Sequence, residues 1–182
     1  HYARTYVDTN RSPREIDPDM FSDLGRMNNF EKSDKVARGF GVISRKSYNG
    51  RDIYAGKISA REIAYRLDQV YHPVHRALGG ILRKVHQNHR FYVLIDCHSM
   101  PSYRFLDPTL STVAQPDLVI GNCFDQSCSR KLTRHMAEYF TRRGLRVKFN
   151  RPYAGGFNTR HYSAVDDNRH AVQLEFNRAL YV

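Results

Sequence analysis

No apolar run in the 182 residues approaches the roughly 18 that a membrane-spanning helix needs, and no signal-like segment opens the chain. A membrane protein is therefore not expected. Cys97, Cys123 and Cys128 are an odd set of three with no CxxC pair, which argues against a disulfide framework and an all-cysteine zinc site. A reducing cytoplasm is the expected setting. Zinc-finger spacing, a basic helical arm and a glycine-rich hairpin with interleaved aromatics are also missing. Acidic residues are in deficit, 18 against 29 Lys and Arg, for a formal charge of +11. Such a balance draws an anionic partner. Because Arg4, Arg11, Arg14, Arg151, Arg160 and Arg178 are dispersed through motif-like segments, a pocket for a carboxylate accounts for part of this charge. Nucleic acid is not the expected partner. No repeat or linker interrupts the chain, so residues 1–182 read as a single domain with room for a sizeable core.

The stretch that organises the rest is FYVLIDCHSMP. Phe91 to Ile95 reads as a buried strand, followed by Asp96 and His98. In open α/β sheets, ligand and metal chemistry collects at the carboxyl ends of strands. His98 at such an end can be a metal ligand, a general base or a loop residue making a hydrogen bond. Asp96 can accept the second imidazole N–H, as carboxylates do around metal-bound histidines, or cap local backbone donors. Cys97 should point away from His98 and be buried.

Around this stretch, residues 2–7 suggest a short strand, and Asp8, Asn10 and Arg11 follow where it stops. Arg11 can serve its own turn or point at a bound anion. Residues 16–56 read mainly as a surface excursion with one strand at 41–44. Ser59 and Glu62 fit a capping box that opens a long helix, with a kink expected at Pro73 and loosening at Gly79 and Gly80. His72 and His75, three apart, can share a helical face and contact substrate, or hydrogen-bond at the kink. An aromatic, proline-bearing loop should follow the central strand. Beyond it come a strand at 117–121 and a helix capped by Ser127 or Ser129 and ended by Gly144. A strand at 145–149 leads into Asn150-Arg151-Pro152-Tyr153-Ala154-Gly155-Gly156, whose glycines permit close backbone approach or positive φ. It lacks the Lys and Ser/Thr of a phosphate loop. In the last strand, 171–176, alternation places Val172, Leu174 and Phe176 on one face and Gln173 with Glu175 on the other. A buried carboxylate needs a partner. Arg178 can supply one, which would make Glu175 structural.

As chemistry, strand ends bearing His98, Asn150 with Arg151, and Glu175 suggest one converging site. His98 would hold a metal that activates water, Glu175 would act as general base and then acid, and arginines would grip a carboxylate. A catalytic zinc takes three protein ligands, and only His98 is evident.

YVDTNR, YHPVH, IDCHSMP, GNCFDQSC, NRPYAGGFNTRHY and QLEFNRALY, in this order across nearly all of the chain, resemble the N-formylglutamate amidohydrolase family. The resemblance implies an α/β three-layer sandwich with a mainly parallel or mixed central sheet, similar to zinc carboxypeptidases and aspartoacylase. It implies hydrolysis of N-formyl-L-glutamate to formate and glutamate. By the same resemblance His98 is a zinc ligand and Glu175 the catalytic carboxylate. Arg11, Asn150 and Arg160 would line the substrate pocket, with Arg151, Arg178, His72 and His75 as further candidates. The family's upstream strand and proline-histidine-glycine segment, which would complete the zinc site, are not in this sequence, so an N-terminally incomplete domain is expected. The family also lacks the Arg that here precedes Pro152. Two other readings stand beside this one: a zinc amidase or carboxypeptidase acting on peptide or cell-wall fragments, and a basic binding domain that has lost catalysis.

Overall fold

Contacts divide the chain into two units, His1–Ile81 and Leu82–Val182. The computed structural model describes residues 2–23, 29–102 and 115–181. Residues 103–114 of the aromatic, proline-bearing loop lie outside them.

The first unit contains α1 (Asp34–Ala37) and α2 (Ala60–Arg66). No strand forms over residues 2–7; the chain turns at 4–6, with the Tyr6 and Val7 amides on the Ala3 carbonyl. The strand expected at 41–44 reduces to an isolated bridge between Phe40 and Ser44. Nor is 16–56 a surface excursion, because Ile16, Met20, Phe21, Val36, Val42 and Ile43 are all buried. These residues come singly or in pairs among polar ones, so neither the helical nor the strand period marks them as core. Ser59 caps α2 by accepting the Glu62 amide. Glu62 instead directs its carboxylate to Arg66 Nε at 2.7 Å, so the capping box is half made. A wide helical turn, Leu67–Tyr71, leads into α3 (His72–His89), within which the division between the units falls. The wide turn lies just before Pro73, where the missing N–H would interrupt regular helical bonding, and the helix continues through Gly79 and Gly80.

The second unit is built on a four-stranded sheet in the order β1-β4-β2-β3. Its strands are β1 (Tyr92–Met100), β2 (Leu118–Gly121), β3 (Val147–Phe149) and β4 (Arg169–Asn177). The sheet is mixed: β1 runs parallel to β4, β2 parallel to β3, and β2 antiparallel to β4. Alternation along β4 works as expected. Val172, Leu174 and Phe176 join Leu118 and Ile120 in an apolar cluster with Leu132, Met136, Ala137 and Phe140 of α4 (Arg130–Thr141). Ser129 caps α4 on the Leu132 amide, and Gly144 follows its end with φ +85°. The short helix α5 (Phe157–His161) packs on β1 and β4. The result is an α/β fold with a mixed central sheet flanked by helices.

The central strand does not behave as a buried one. β1 is an edge of the described sheet, and the apolar cluster beneath α4 reaches Val93 but not Ile95 or Cys97. Ile95 and Cys97 are consequently exposed. Cys97 is thus not the buried thiol expected. No helix among the described residues is long and apolar enough to cross a membrane.

Candidate active site

Because β1 continues to Met100, His98 lies inside the strand rather than just beyond it. Its partner in the ladder is Glu175, and the partner of Asp96 is Gln173. Paired residues of neighbouring strands face the same way and residues two apart share a face. These four polar side chains therefore form a two-by-two patch on the face opposite the α4 cluster. Along β1, His98 Nε2 lies 3.0 Å from Asp96 Oδ2. Along β4, Gln173 Nε2 donates to Glu175 Oε1 at 2.6 Å. From α5, Asn158 Nδ2 donates to Asp96 Oδ2 at 3.3 Å. Gln173 and Glu175 are buried, while the Asp96 and His98 side chains keep 19% and 17% of their surface exposed. The buried carboxylate thus lies beside a more accessible imidazole. Neither Gln173 nor Asn158 was an expected site residue. The period of β4 already aimed Gln173 beside Glu175, whereas no local pattern placed Asn158.

Gly121 is the β2 partner of Gln173. A Cβ there would sit 2.8 Å from the Ala154 carbonyl carbon and the Gly155 nitrogen, so the backbone of the Ala154-Gly155 segment packs directly on it. The Cys123 amide secures that segment by donating to the Ala154 carbonyl at 2.7 Å. Gly155 has φ +125°, the positive φ anticipated for this turn.

Other expected residues fall elsewhere. Because β2 runs antiparallel to β4, the carboxyl end of β2 at Gly121 meets β4 at Gln173, and β3, parallel to β2, ends beside it at Phe149. His98 and Glu175 come together by ladder pairing within β1 and β4. Asn150, beyond β3, accepts the amides of Asn122 and Phe124 at 3.0 and 3.4 Å and donates to Asn122 Oδ1 at 2.9 Å. It braces a loop in which Cys123, Phe124 and Asp125 all have positive φ. In that loop the Asn122 amide, ahead of Arg130, holds the Asp125 carboxyl below its ordinary pKa. Arg151 is exposed, and Arg160, exposed on α5, brings Nη1 to 3.9 Å from Cys123 Sγ. Arg178 donates to Ser99 Oγ at 3.2 Å. Ser99 pairs with Phe176 on the α4 face, so Arg178 does not take up the alternative role of ion-pair partner to Glu175.

In the first unit, Asp8 and Asn10 are buried in the turn that presents Arg11. The Asn10 amide donates to Asp8 Oδ1, while Arg11 directs Nε to the Phe40 carbonyl at 3.0 Å and Nη1 to the Asn10 carbonyl at 3.1 Å. Tyr71 and His75 hold the turn from behind. The tyrosine hydroxyl donates to the Arg11 carbonyl at 2.7 Å, and His75 Nε2 lies 3.0 Å from the Thr9 carbonyl. A ring nitrogen facing a carbonyl carries the proton, so His75 supports the backbone through that nitrogen. His72 does not share this role; it is half-exposed, 3.9 Å from Asp68.

As a zinc centre, the donor set falls short. Among the described residues, no group of three or more His, Cys, Asp or Glu side chains could hold a metal ion. A catalytic zinc takes about three protein ligands, and this patch offers His98 with Asp96 against its ring.

The profile of the family described as N-formylglutamate amidohydrolase matches residues 1–182. The chain belongs to the N-formylglutamate amidohydrolase family. Among curated relatives, N-formylglutamate deformylase of Pseudomonas aeruginosa is 28% identical over 185 residues, covering 100% of this chain and 62% of that protein. The N-formylglutamate deformylase of Pseudomonas putida is 29% identical over 125 residues, covering 68% of this chain and 46% of that protein. This amidohydrolase-family chain thus spans less than two thirds of the length of either relative. Among solved structures, it superposes on N-formylglutamate amidohydrolase from Ralstonia eutropha JMP134 with a TM-score of 0.89 at 24% identity, over 98% of this chain and 64% of that one. A gene product from Agrobacterium tumefaciens gives a TM-score of 0.65 at 19% identity, over 99% of this chain and 58% of that one. At these identities the likeness is one of fold.

Proposed function

We propose that the chain is part of an amidohydrolase that cleaves the amide of a small anionic N-acyl amino acid, with N-formyl-L-glutamate the first candidate. The observation that carries this reading is the in-register pairing of His98 with Glu175 in a chain of this family. The names of the two Pseudomonas relatives support the choice of substrate. In the proposed reaction, water adds to the formyl carbon and the C–N bond breaks, leaving formate and glutamate. Glu175 takes a proton from the water and returns it to the departing amine nitrogen, as general base and then general acid. Zinc is the proposed cofactor, with His98 as one ligand. As the described residues do not complete a set of ligands and the chain spans only 62% of its Pseudomonas aeruginosa relative, the other ligands are sought in the full-length polypeptide. Arg160 and Arg151 remain proposed anion contacts.

The test is elemental analysis of the full-length gene product beside its His98→Ala variant, together with a panel of N-formyl, N-acetyl and peptide substrates. Near-stoichiometric zinc that is lost in the variant, with efficiency falling as the acyl group grows, is the expected result. Absence of zinc after reconstitution, together with absence of hydrolysis, would leave a family member without catalysis. Preference for peptides would move the assignment to a peptide amidase.

A further inference from the structure

Resting on the reading above, we infer that Gln173 is a positioning residue for the reaction, holding the Glu175 carboxylate in its working direction through a neutral donor. The two side chains stand two apart on β4, on the same face, and both are buried. The amide-to-carboxylate distance is 2.6 Å. An ionised carboxylate in such a place loses its hydration and needs hydrogen bonds in return. A cation in the position of Gln173 would supply them, but it would also favour the ionised form and so weaken the carboxylate as a base. An amide orients Oε1 without a countercharge.

The neighbouring strand repeats the arrangement. Asp96 is the ladder partner of Gln173, as His98 is of Glu175. Asp96 Oδ2 lies against His98 Nε2 at 3.0 Å and receives Asn158 Nδ2 at 3.3 Å. Each strand thus carries one residue assigned to the chemistry and, two positions earlier, one that orients it. In β2, Gly121 stands opposite Gln173 with the backbone of Ala154 and Gly155 packed on it, so this end of the patch is built from closely fitted main chain. The Gln173 side chain is buried within that frame, which limits the rotamers from which it can serve Glu175.

The experiment compares kcat and KM for N-formyl-L-glutamate in the full-length protein carrying Gln173→Met, Glu175→Gln or both. Methionine keeps the length of the side chain and removes the donor. We expect kcat to fall about tenfold to a hundredfold with KM nearly unchanged, the scale for losing a group that orients a reacting one. In the Glu175→Gln background the second substitution should add little, because the carboxylate it positioned is already gone. Gln173→Glu, of the same shape but a like charge when ionised, should lose more than Gln173→Met and serves if the methionine variant fails to fold. A purely structural role would make the two losses multiply, or would lower stability while sparing kcat; either result overturns the inference. So does an active wild type whose kcat is unchanged in Gln173→Met. A wild type that releases no formate is a different failure, since it removes the substrate reading and this inference with it.

Discussion

Glu175 and Gly121 show how much single residues decide in this molecule. The carboxylate is buried and needs its amide donor, while the glycine is needed because nothing larger fits beneath the Ala154-Gly155 backbone. Gly121→Ala should therefore lower folding stability by about 1–3 kcal/mol, the usual cost of forcing extra volume into close packing. The urea unfolding midpoint checks it, and an unchanged midpoint would mean that the crossing segment yields freely. That Gln173 and Glu175 share one face was legible in the sequence, because alternation along a strand aims them to one side. The packing demand on Gly121 was not, since the atoms it avoids lie more than thirty residues away in the chain. The fates of Asn150 and Arg178 were hidden for the same reason. A polar side chain after a strand looks alike in sequence whether it faces a substrate or, like Asn150, braces the backbone of Asn122 and Phe124.

At the scale of elements, the informative contrast lies between what local rules predict and what pairing order adds. Helix caps at Ser59 and Ser129 and the strands around 118–121 and 171–176 followed from capping chemistry and period. The order β1-β4-β2-β3 did not, because strand order depends on contacts distant in sequence. That order puts β1 at an edge of the described sheet and exposes Cys97. By contrast Cys128 is buried in the α4 cluster, where burial pushes its thiol up to about 11. Alkylation of the native protein near neutral pH should therefore modify Cys97 first and reach Cys128 only on unfolding, as peptide mass mapping would show; early labelling of Cys128 would contradict the packing of α4. In the first unit, Tyr71 and His75 link the helical segment to the turn at Thr9–Arg11. Tyr71→Phe should cost about 0.5–1.5 kcal/mol, the net worth of one intramolecular hydrogen bond. Combined with His75→Leu, the loss should differ from the sum, since both groups hold the same turn. Strict additivity in unfolding experiments would show the two contacts to be independent.

For the molecule as a whole, the formal charge of +11 grows as the nine histidines protonate, so acid increases self-repulsion. His170 adds a specific term. It is buried at the start of β4, and its Nδ1 accepts the Ser129 amide at 3.4 Å. Burial lowers its pKa from the ordinary 6.5. The unfolded chain therefore takes up this proton first as pH falls, so the contribution is present above 6.5 and is lost as pH drops toward the folded-state value. Wild type should lose more of its urea midpoint between pH 8 and pH 5 than His170→Leu does; equal losses would remove His170 from the account. The central claim concerns chemistry, and formate release from N-formyl-L-glutamate by the full-length protein and its Glu175→Gln variant tests it most directly. Turnover in the wild type and a loss of about 10² to 10⁴ in kcat in a folded variant are expected, the range for removing a general acid–base group. Near-normal turnover in Glu175→Gln would contradict it.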